Sequence, residues 1–516
     1  MRRSAAVMMV AMALAACGDP KARARCGSDA ECGAGQYCAS GGVCWADAVA
    51  PVIDSVTLGC AAPCLRDSTV AVVVSARDDA RLAAVTARLD LAPGTVVPLV
   101  PQGGAWKADL SLGAWPFPAF ERPVEVTVEA RDAAGNKVTA SRTVGPVTRL
   151  RWAMDFAPGE TPVPVPGAVA VDELGTAIFG GSSARVYFVG PDGAATRDPV
   201  LVGTGALTAP VVVGTGGVWV PSDDGKVYRV PADPVAAVEM VCDTGAAVKG
   251  VALMGTGTPI ASSSMGLFMS VANAACRSTT VYPGSVAIPG ASSAETYFGA
   301  EGNVLHSISL NSKGFLVENW TTPAQFSAIV AMPLAIRANG DILALTNLGT
   351  EGSLVDVTAA GVASVLATTD VPADGPVVRA NGDVVVPEKG KTLSCWTSAG
   401  ALRWRSAPLG GVPLTPLLLA GDDALVVADG RGGLSALDAA GQLRWTTQLA
   451  PAAIPLHPPN LHAPAGARLS TGYVPAANGK LYAVVLDGRL DAAAPWPKAF
   501  HDPKNTGNAA TALPLP

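Results

Sequence analysis

The chain is short of charge. Only 15% of its 516 residues are Asp, Glu, Lys or Arg, and the formal net charge is −6. No cluster of Lys and Arg offers the basic footprint that a phosphate backbone requires, so nucleic acid is excluded as a partner. Histidine is scarce as well, with four in all, and only His457 and His462 lie close together. Their stretch, HPPNLH, has neither the spacing of a helical zinc motif nor a carboxylate nearby to complete a site, so a solvated loop is expected. Three common routes to catalysis are also missing. The chain has no Gly-x-Ser-x-Gly elbow, no phosphate-binding Gly-x-x-x-x-Gly-Lys-Ser/Thr and no two adjacent cysteines. Carboxylates such as Asp223, Asp224, Asp422 and Asp423 fall in strand turns. No catalytic residue, no metal-ligating set and no cofactor is expected.

What is abundant is apolar and turn-forming. Apolar residues make up 49% of the chain, and 56 Gly with 42 Pro suit many short strands joined by tight turns, with little room for long helices. An all-β fold follows, in roughly two to four domains at this length. The first residues, MRRSAAVMMVAMALAAC, carry Arg2 and Arg3, an apolar run from Ala5 to Ala13 too short to span a bilayer, and small residues before a cysteine, which reads as an export signal over residues 1–16. Leu14-Ala15-Ala16-Cys17 resembles the lipobox of bacterial lipoproteins. That resemblance implies acylation of Cys17 and a lipid anchor to the membrane, and Gly18 implies the outer membrane. Several acyl chains on one residue hold a protein firmly while the rest stays in water.

Residues 17–50 hold Cys26, Cys32, Cys38 and Cys44 at a strict six-residue interval among Gly, Ser and Asp. Such a segment has no core of its own and reads as a module stapled by two disulfides in an oxidising compartment. Of the three possible pairings, Cys26–Cys38 with Cys32–Cys44 is favoured. Residues 51–147 show seven short alternating strands, ending in VEVTVEARDAAGNKVTASRTV, where AAGN supplies a hairpin turn. This resembles the last two strands of bacterial immunoglobulin-like domains and implies a β-sandwich. Cys60 and Cys64, four apart, are expected to clip a local loop. Asp78, Asp79, Asp132 and Asn136 gather hard oxygen ligands at strand ends, as a calcium site would, but turn chemistry is the commoner use of such residues.

From residue 148 to 508 a motif Gly-x-aliphatic-x-x-aliphatic recurs after a polar turn. Eight copies begin at 184, 225, 266, 302, 352, 390, 433 and 479, a mean step of about 42 residues, the length of a four-stranded propeller blade. A four-stranded sheet of that size cannot bury both faces alone, so an eight-bladed β-propeller is expected. RLRW at 149–152 matches ALRW at 401–404 and QLRW at 442–445, the outer strand of a unit, and predicts that the N-terminal strand completes the last blade. Residues 509–516 form a tail.

LSALDAAGQLRW (434–445) resembles the tryptophan-docking repeat of the PQQ-like propellers, with Ala436, Asp438, Gly441 and Trp445 carrying the match. A second copy has Gly400 and Trp404, with Cys395 and Thr397 at the Ala and Asp positions. WPKAFHDPKNTGN (496–508) is similar to a segment beside the closing blade of that family. A disulfide between Cys242 and Cys276 across neighbouring units would leave Cys395 over. The family includes quinoprotein dehydrogenases, whose adjacent cysteines this chain lacks. The outer-membrane barrel-assembly machinery contains a lipoprotein with a similar propeller and no head domains. These resemblances favour a non-enzymatic envelope scaffold for a protein or glycan partner, ahead of an adhesin and, last, a quinoprotein dehydrogenase.

Overall fold

The computed structural model describes residues 24–90, 95–114, 122–160, 164–255, 257–265, 267–270, 277–281, 290–322, 329–330, 332–421, 423–451 and 453–513. Cys17, Cys276 and residues 1–16, which read as an export signal, lie outside them. Among the described residues there is no α-helix, and no helix is long and apolar enough to cross a membrane. The chain divides into two compact units that interleave in sequence. The first comprises residues 1–60, 70–110 and 124–144, and the second 61–69, 111–123 and 145–516.

The first unit opens with a hairpin of Gln36–Cys38 and Cys44–Ala46, bridged by Cys26–Cys38 and Cys32–Cys44. Few of its residues are buried, so the two disulfides do for it what a core does elsewhere. The strands that follow alternate between valine and polar residues and pack as a sandwich. One sheet runs Val52–Gly59, Thr69–Arg77, Ala105–Ser111, Val100–Gln102, and the other is centred on Arg122–Asp132 between Lys137–Thr148 and Leu82–Leu89. The alternation does what a half-buried strand requires. Val70, Val72 and Val74 point inward with Val124, Val126 and Val128, and all are fully buried or nearly so. Cys60 and Cys64 are each disulfide-bonded.

Among the described residues of the second unit, eight sheets form the blades of a propeller, seven of four strands and one with a fifth short strand. Numbered in chain order, blade 1 spans residues 170–201, blade 2 212–243, blade 3 248–281, blade 4 291–321, blade 5 329–369, blade 6 377–405, blade 7 417–448 and blade 8 460–486. All eight copies of the repeated motif fall on the same element, the third strand out from the axis, from Arg185–Val189 in blade 1 to Lys480–Leu486 in blade 8. The inner strands are buried on both faces, and Ala424–Ala428 and Gly433–Leu437 have no exposed residue. The outermost strand has one wet face, so Leu443–Gln448 alternates. Cores are shared between neighbours. Leu417, Val426 and Leu434 of blade 7 pack with Val474, Tyr482 and Val484 of blade 8, and Tyr473 and Leu481 of blade 8 pack with Phe179 and Tyr187 of blade 1.

The ring is closed by a strand from the other end of the chain. Leu150–Asp155 pairs antiparallel with Lys480–Leu486 as the fourth strand of blade 8. Just before it, Arg149 is fully buried, 3.8 Å over the ring of Trp445, and paired with Asp487. Burial lowers its pKa to about 9 despite the carboxylate. Cys242 is disulfide-bonded, and Cys395 is a buried free thiol whose pKa burial pushes up to about 11, which makes it inert.

Candidate functional site

The most unusual feature of the propeller is what lies along its axis. The 496–508 stretch, expected beside the closing blade, instead winds past the inner edges of nearly all the blades. Backbone N–H groups of Val171, Val213, Leu253 and Ser292, in blades 1 to 4, donate to the carbonyls of Pro503, Lys504, Thr506 and Gly507 at 2.7–3.0 Å. Val378 and Leu418, in blades 6 and 7, donate to Trp496 and Pro497, each at 2.8 Å. From blade 8 the Asn460 side-chain amide donates to the Pro503 carbonyl at 2.8 Å. Inner strands present a free edge of N–H groups toward the axis, and this segment satisfies it. Phe500, His501 and Asn505 take positive φ of 61°, 70° and 58°, a conformation that non-glycine residues hold only where surrounding bonds enforce it.

The side chains of the coil complete it from within. Lys498 is 1% exposed, and its ammonium donates to the carbonyls of Ala499 and Asp502 and to Asn505 Oδ1. Burial lowers its pKa to about 7, against the pull of Asp502. A lysine near neutrality is a nucleophile candidate on chemical grounds, yet all three of its protons are committed to the coil. Asp502 accepts from the Thr506 hydroxyl and stands 3.4 Å from His501 Nδ1. The carboxylate therefore lies between hydroxyl and imidazole, whereas a nucleophilic triad needs the imidazole in the middle. His501 in turn packs on Trp496, with ring centroids 5.2 Å apart.

Where the coil reaches one face, two clefts of about 590 and 620 Å³ flank it. Both are lined by Asp172, Glu173, Leu174, Lys504 and Thr511. The first continues to Met254, and the second to His462 and Arg489. Leu174, 81% exposed, stands between them as an apolar tip rimmed by charge, with Lys504 paired to Glu173 at 2.8 Å. HPPNLH is not the solvated loop expected. Asn460–His462 is the inner strand of blade 8, with Asn460 and Leu461 buried, because the amide of Asn460 is needed at the axis. His462 packs against Gly175 of blade 1, where a Cβ would meet the imidazole at 2.7 Å, and burial lowers its pKa.

Around the rim, the residues of the docking repeat act in trans. Asp438 Oδ1 accepts the N–H groups of Ala440 and Gln442, each at 2.9 Å, and shapes the turn at Gly441, whose φ is +77°. The ring over that turn is Trp404 from blade 6. Its indole N–H donates to the Ala439 carbonyl at 2.9 Å, and a Cβ on Gly441 would meet the ring at 2.5 Å. Trp445, on the same blade as Gly441, faces the next junction and meets Arg149, while Ala436 pairs with it across the strands. The same docking joins Trp152 of blade 8 to Pro191 and Gly193 of blade 1, and Trp320 of blade 4 to Ala359 and Gly361 of blade 5. Trp320 was not picked out by the sequence motif. Its signal is the Gly314 turn before it, two residues further off than in the other repeats.

Residues 338–506 match the family model described as outer membrane protein assembly factor BamB. That stretch carries repeats of the BamB type. It runs from early in blade 5, just before the strand Ile342–Asn347, into the axial coil, the part where the docking motif is sharpest. No curated protein matches the chain in sequence. Among solved structures, the computationally designed Ika8 protein superposes with a TM-score of 0.53 at 11% identity, over 66% of this chain and 100% of its own, which shows the fold. BamB from Moraxella catarrhalis gives 0.49 at 14% identity, over 62% and 96%, and virginiamycin B lyase from Staphylococcus aureus gives 0.43 at 12%, over 65% and 98%.

Proposed function

We propose that the chain is a non-enzymatic, lipid-anchored scaffold of the cell envelope, and that its propeller holds a protein partner on the face around Leu174. The observation that carries this reading is the axial coil. The centre of the ring is filled by Trp496, Lys498 and Asn505 of the chain itself, and two of the clefts that open beside this coil meet at Leu174. Loops from several blades converge there on a rigid ring, an arrangement suited to binding. The match of residues 338–506 to an outer-membrane assembly factor favours a role in outer-membrane assembly over adhesion.

The test is a photo-reactive residue at Leu174, compared with one at Val365 on the outer strand Ala363–Thr369, which is 65% exposed. Cross-linking in intact cells is expected to give a discrete protein adduct from position 174 and none from 365. An adduct pattern common to both positions, or dye reduction by the purified protein with PQQ, calcium and an alcohol, would overturn the scaffold reading. Mass spectrometry of the mature N-terminus tests the anchor separately, since a thioether on Cys17 and loss of membrane association in Cys17→Ala are both expected.

A further inference from the structure

The first unit carries an acidic cluster that the sequence only half shows. Asp78 and Asp79 follow the strand Thr69–Arg77, and the structure brings Asp47 to them from the end of the disulfide module, so that one carboxylate oxygen from each of the three lies within 4.8 Å of the others. Asp132 and Asn136 are not part of it. Asp132 Oδ1 accepts the N–H groups of Gly135 and Asn136, and its Oδ2 accepts the Asn136 amide at 2.7 Å, while that amide also donates to the carbonyls of Asp47 and Val49 at 3.1 and 3.2 Å.

The decisive feature is how the cluster is held. Asp47 is 8% exposed, and its Oδ1 accepts the Val49 N–H at 2.9 Å while its Oδ2 is buried with no hydrogen-bond partner. Asp78 repeats the pattern. Its Oδ2 accepts from Ala80 and Arg81 N–H at 3.1 and 2.8 Å, and its Oδ1 is buried and unpartnered. Asp47 and Asp78 are thus each held by the backbone through one oxygen, and the other oxygen of each is buried without a partner. Orphaned buried acceptors are rare in folded proteins and ask for a donor or an ion. The two cations nearest in sequence are paired elsewhere, Arg77 with Asp54 at 3.1 Å and Arg81 with Asp29.

We propose that Asp47, Asp78 and Asp79 bind a calcium ion that ties the disulfide module to the sandwich. The donor set is all oxygen and all anionic, with no imidazole, and the module's cysteines are committed to disulfides, which selects a hard divalent cation. Magnesium demands a regular octahedron and is usually held by one or two carboxylates with several waters, whereas calcium accepts several carboxylates in irregular geometry, which three aspartates from separate segments suit better. The exposed Asp79 leaves room for water to complete the shell. The ion would join residues about 30 apart in sequence, fixing the chain at Asp47 where the covalent staples end.

The experiment uses the intact protein stripped with a chelator, then titrated with CaCl2 or MgCl2 by calorimetry and melted at each concentration. One calcium per chain is expected, with a Kd of about 0.1–1 mM, as for extracellular modules, and a rise in the melting temperature of the first unit. Asp79→Asn, an exposed change that leaves the core untouched, is expected to weaken binding at least ten-fold, as is Asp78→Asn, while the exposed Asp109→Asn leaves it unchanged. No saturable binding up to 10 mM (roughly ten times the expected Kd), equal affinity for magnesium, or equal binding by Asp79→Asn and Asp109→Asn would overturn the assignment.

Discussion

Two junctions in the same ring solve one problem differently. Between blades 6 and 7, Trp404 covers the turn at Gly441 and donates to its carbonyl. Between blades 5 and 6, the equivalent turn at Gly400, with φ of +85°, is met by Leu366, whose backbone oxygen would lie 2.0 Å from a Cβ there. Both turns need glycine, and both outer strands reach forward over the next blade. Only one uses an indole. The ring therefore does not depend on tryptophan at every junction. It depends on shared cores of inner strands and on glycine turns that let the next blade approach. The indole adds a hydrogen bond and a large apolar contact where it is present.

The closure supplies Trp152 and a whole strand, so the ring is most vulnerable there. Replacing residues 150–155 by Gly and Ser in the intact chain would leave Lys480–Leu486 as an unpaired edge. The second unit is expected to lose its single cooperative transition and to aggregate, as read by calorimetry and light scattering. Unchanged melting would show that the neighbouring cores alone hold the ring.

A smaller effect sharpens the contrast itself. Trp404→Ala is expected to cost about 3–5 kcal/mol, in the range for emptied aromatic sites. Leu366→Ala, at a half-buried position with no side-chain hydrogen bond to lose, is expected to cost about 2 kcal/mol. Denaturant unfolding measures both, and equal costs would erase the difference between the junctions.

The glycine requirement separates into strain and contact. Gly441→Ala meets a positive φ and the Trp404 ring together, so about 2–3 kcal/mol is expected. Gly466→Ala shares the positive φ, at +71°, but has nothing within 4 Å of its Cβ, so only the backbone cost of about 1 kcal/mol remains. Thermal melting of the two variants side by side gives the difference.

The smallest expected effect is on pH. Burial lowers the His457 pKa to about 4, against a hydrogen bond to the Pro166 carbonyl that raises it. A base whose folded pKa is depressed binds more protons when unfolded, so stability falls as pH drops from about 6.5 to about 4 and is level above that window. Comparison of melting temperatures at pH 7 and pH 4.5 for the intact protein and His457→Gln is expected to show a shallower acid loss in the variant.

How much was legible in the sequence depended on whether the signal was local. The eight third strands could be read from the motif because a polar turn followed by spaced aliphatics is a property of about ten consecutive residues. The valine alternation of Thr69–Arg77 and Arg122–Asp132 is of the same kind. Trp445 and Gly441 were also legible as residue types, but their partners were not. Sequence proximity joins Gly441 to Trp445, while the twist of the sheets carries Trp404 over it from the blade before. HPPNLH reads as a loop for a related reason, since its polarity describes a loop only until Asn460 finds the Pro503 carbonyl at the axis.

By itself, then, the chain's order of residues determined the strands, the turns, the repeat number and the cysteine staples of the head, because each is decided by neighbours a few residues apart. The closure of blade 8 by Leu150–Asp155 belongs with them, because RLRW repeats ALRW and QLRW. What the fold alone decides is that residues 496–508 wind along the axis and that Asp47 joins Asp78 and Asp79. The physical reason is one of satisfaction. Every buried N–H and carboxylate must find a partner, and which partner lies within 3 Å is set by the closing of a ring and the folding of a sandwich, not by distance along the chain.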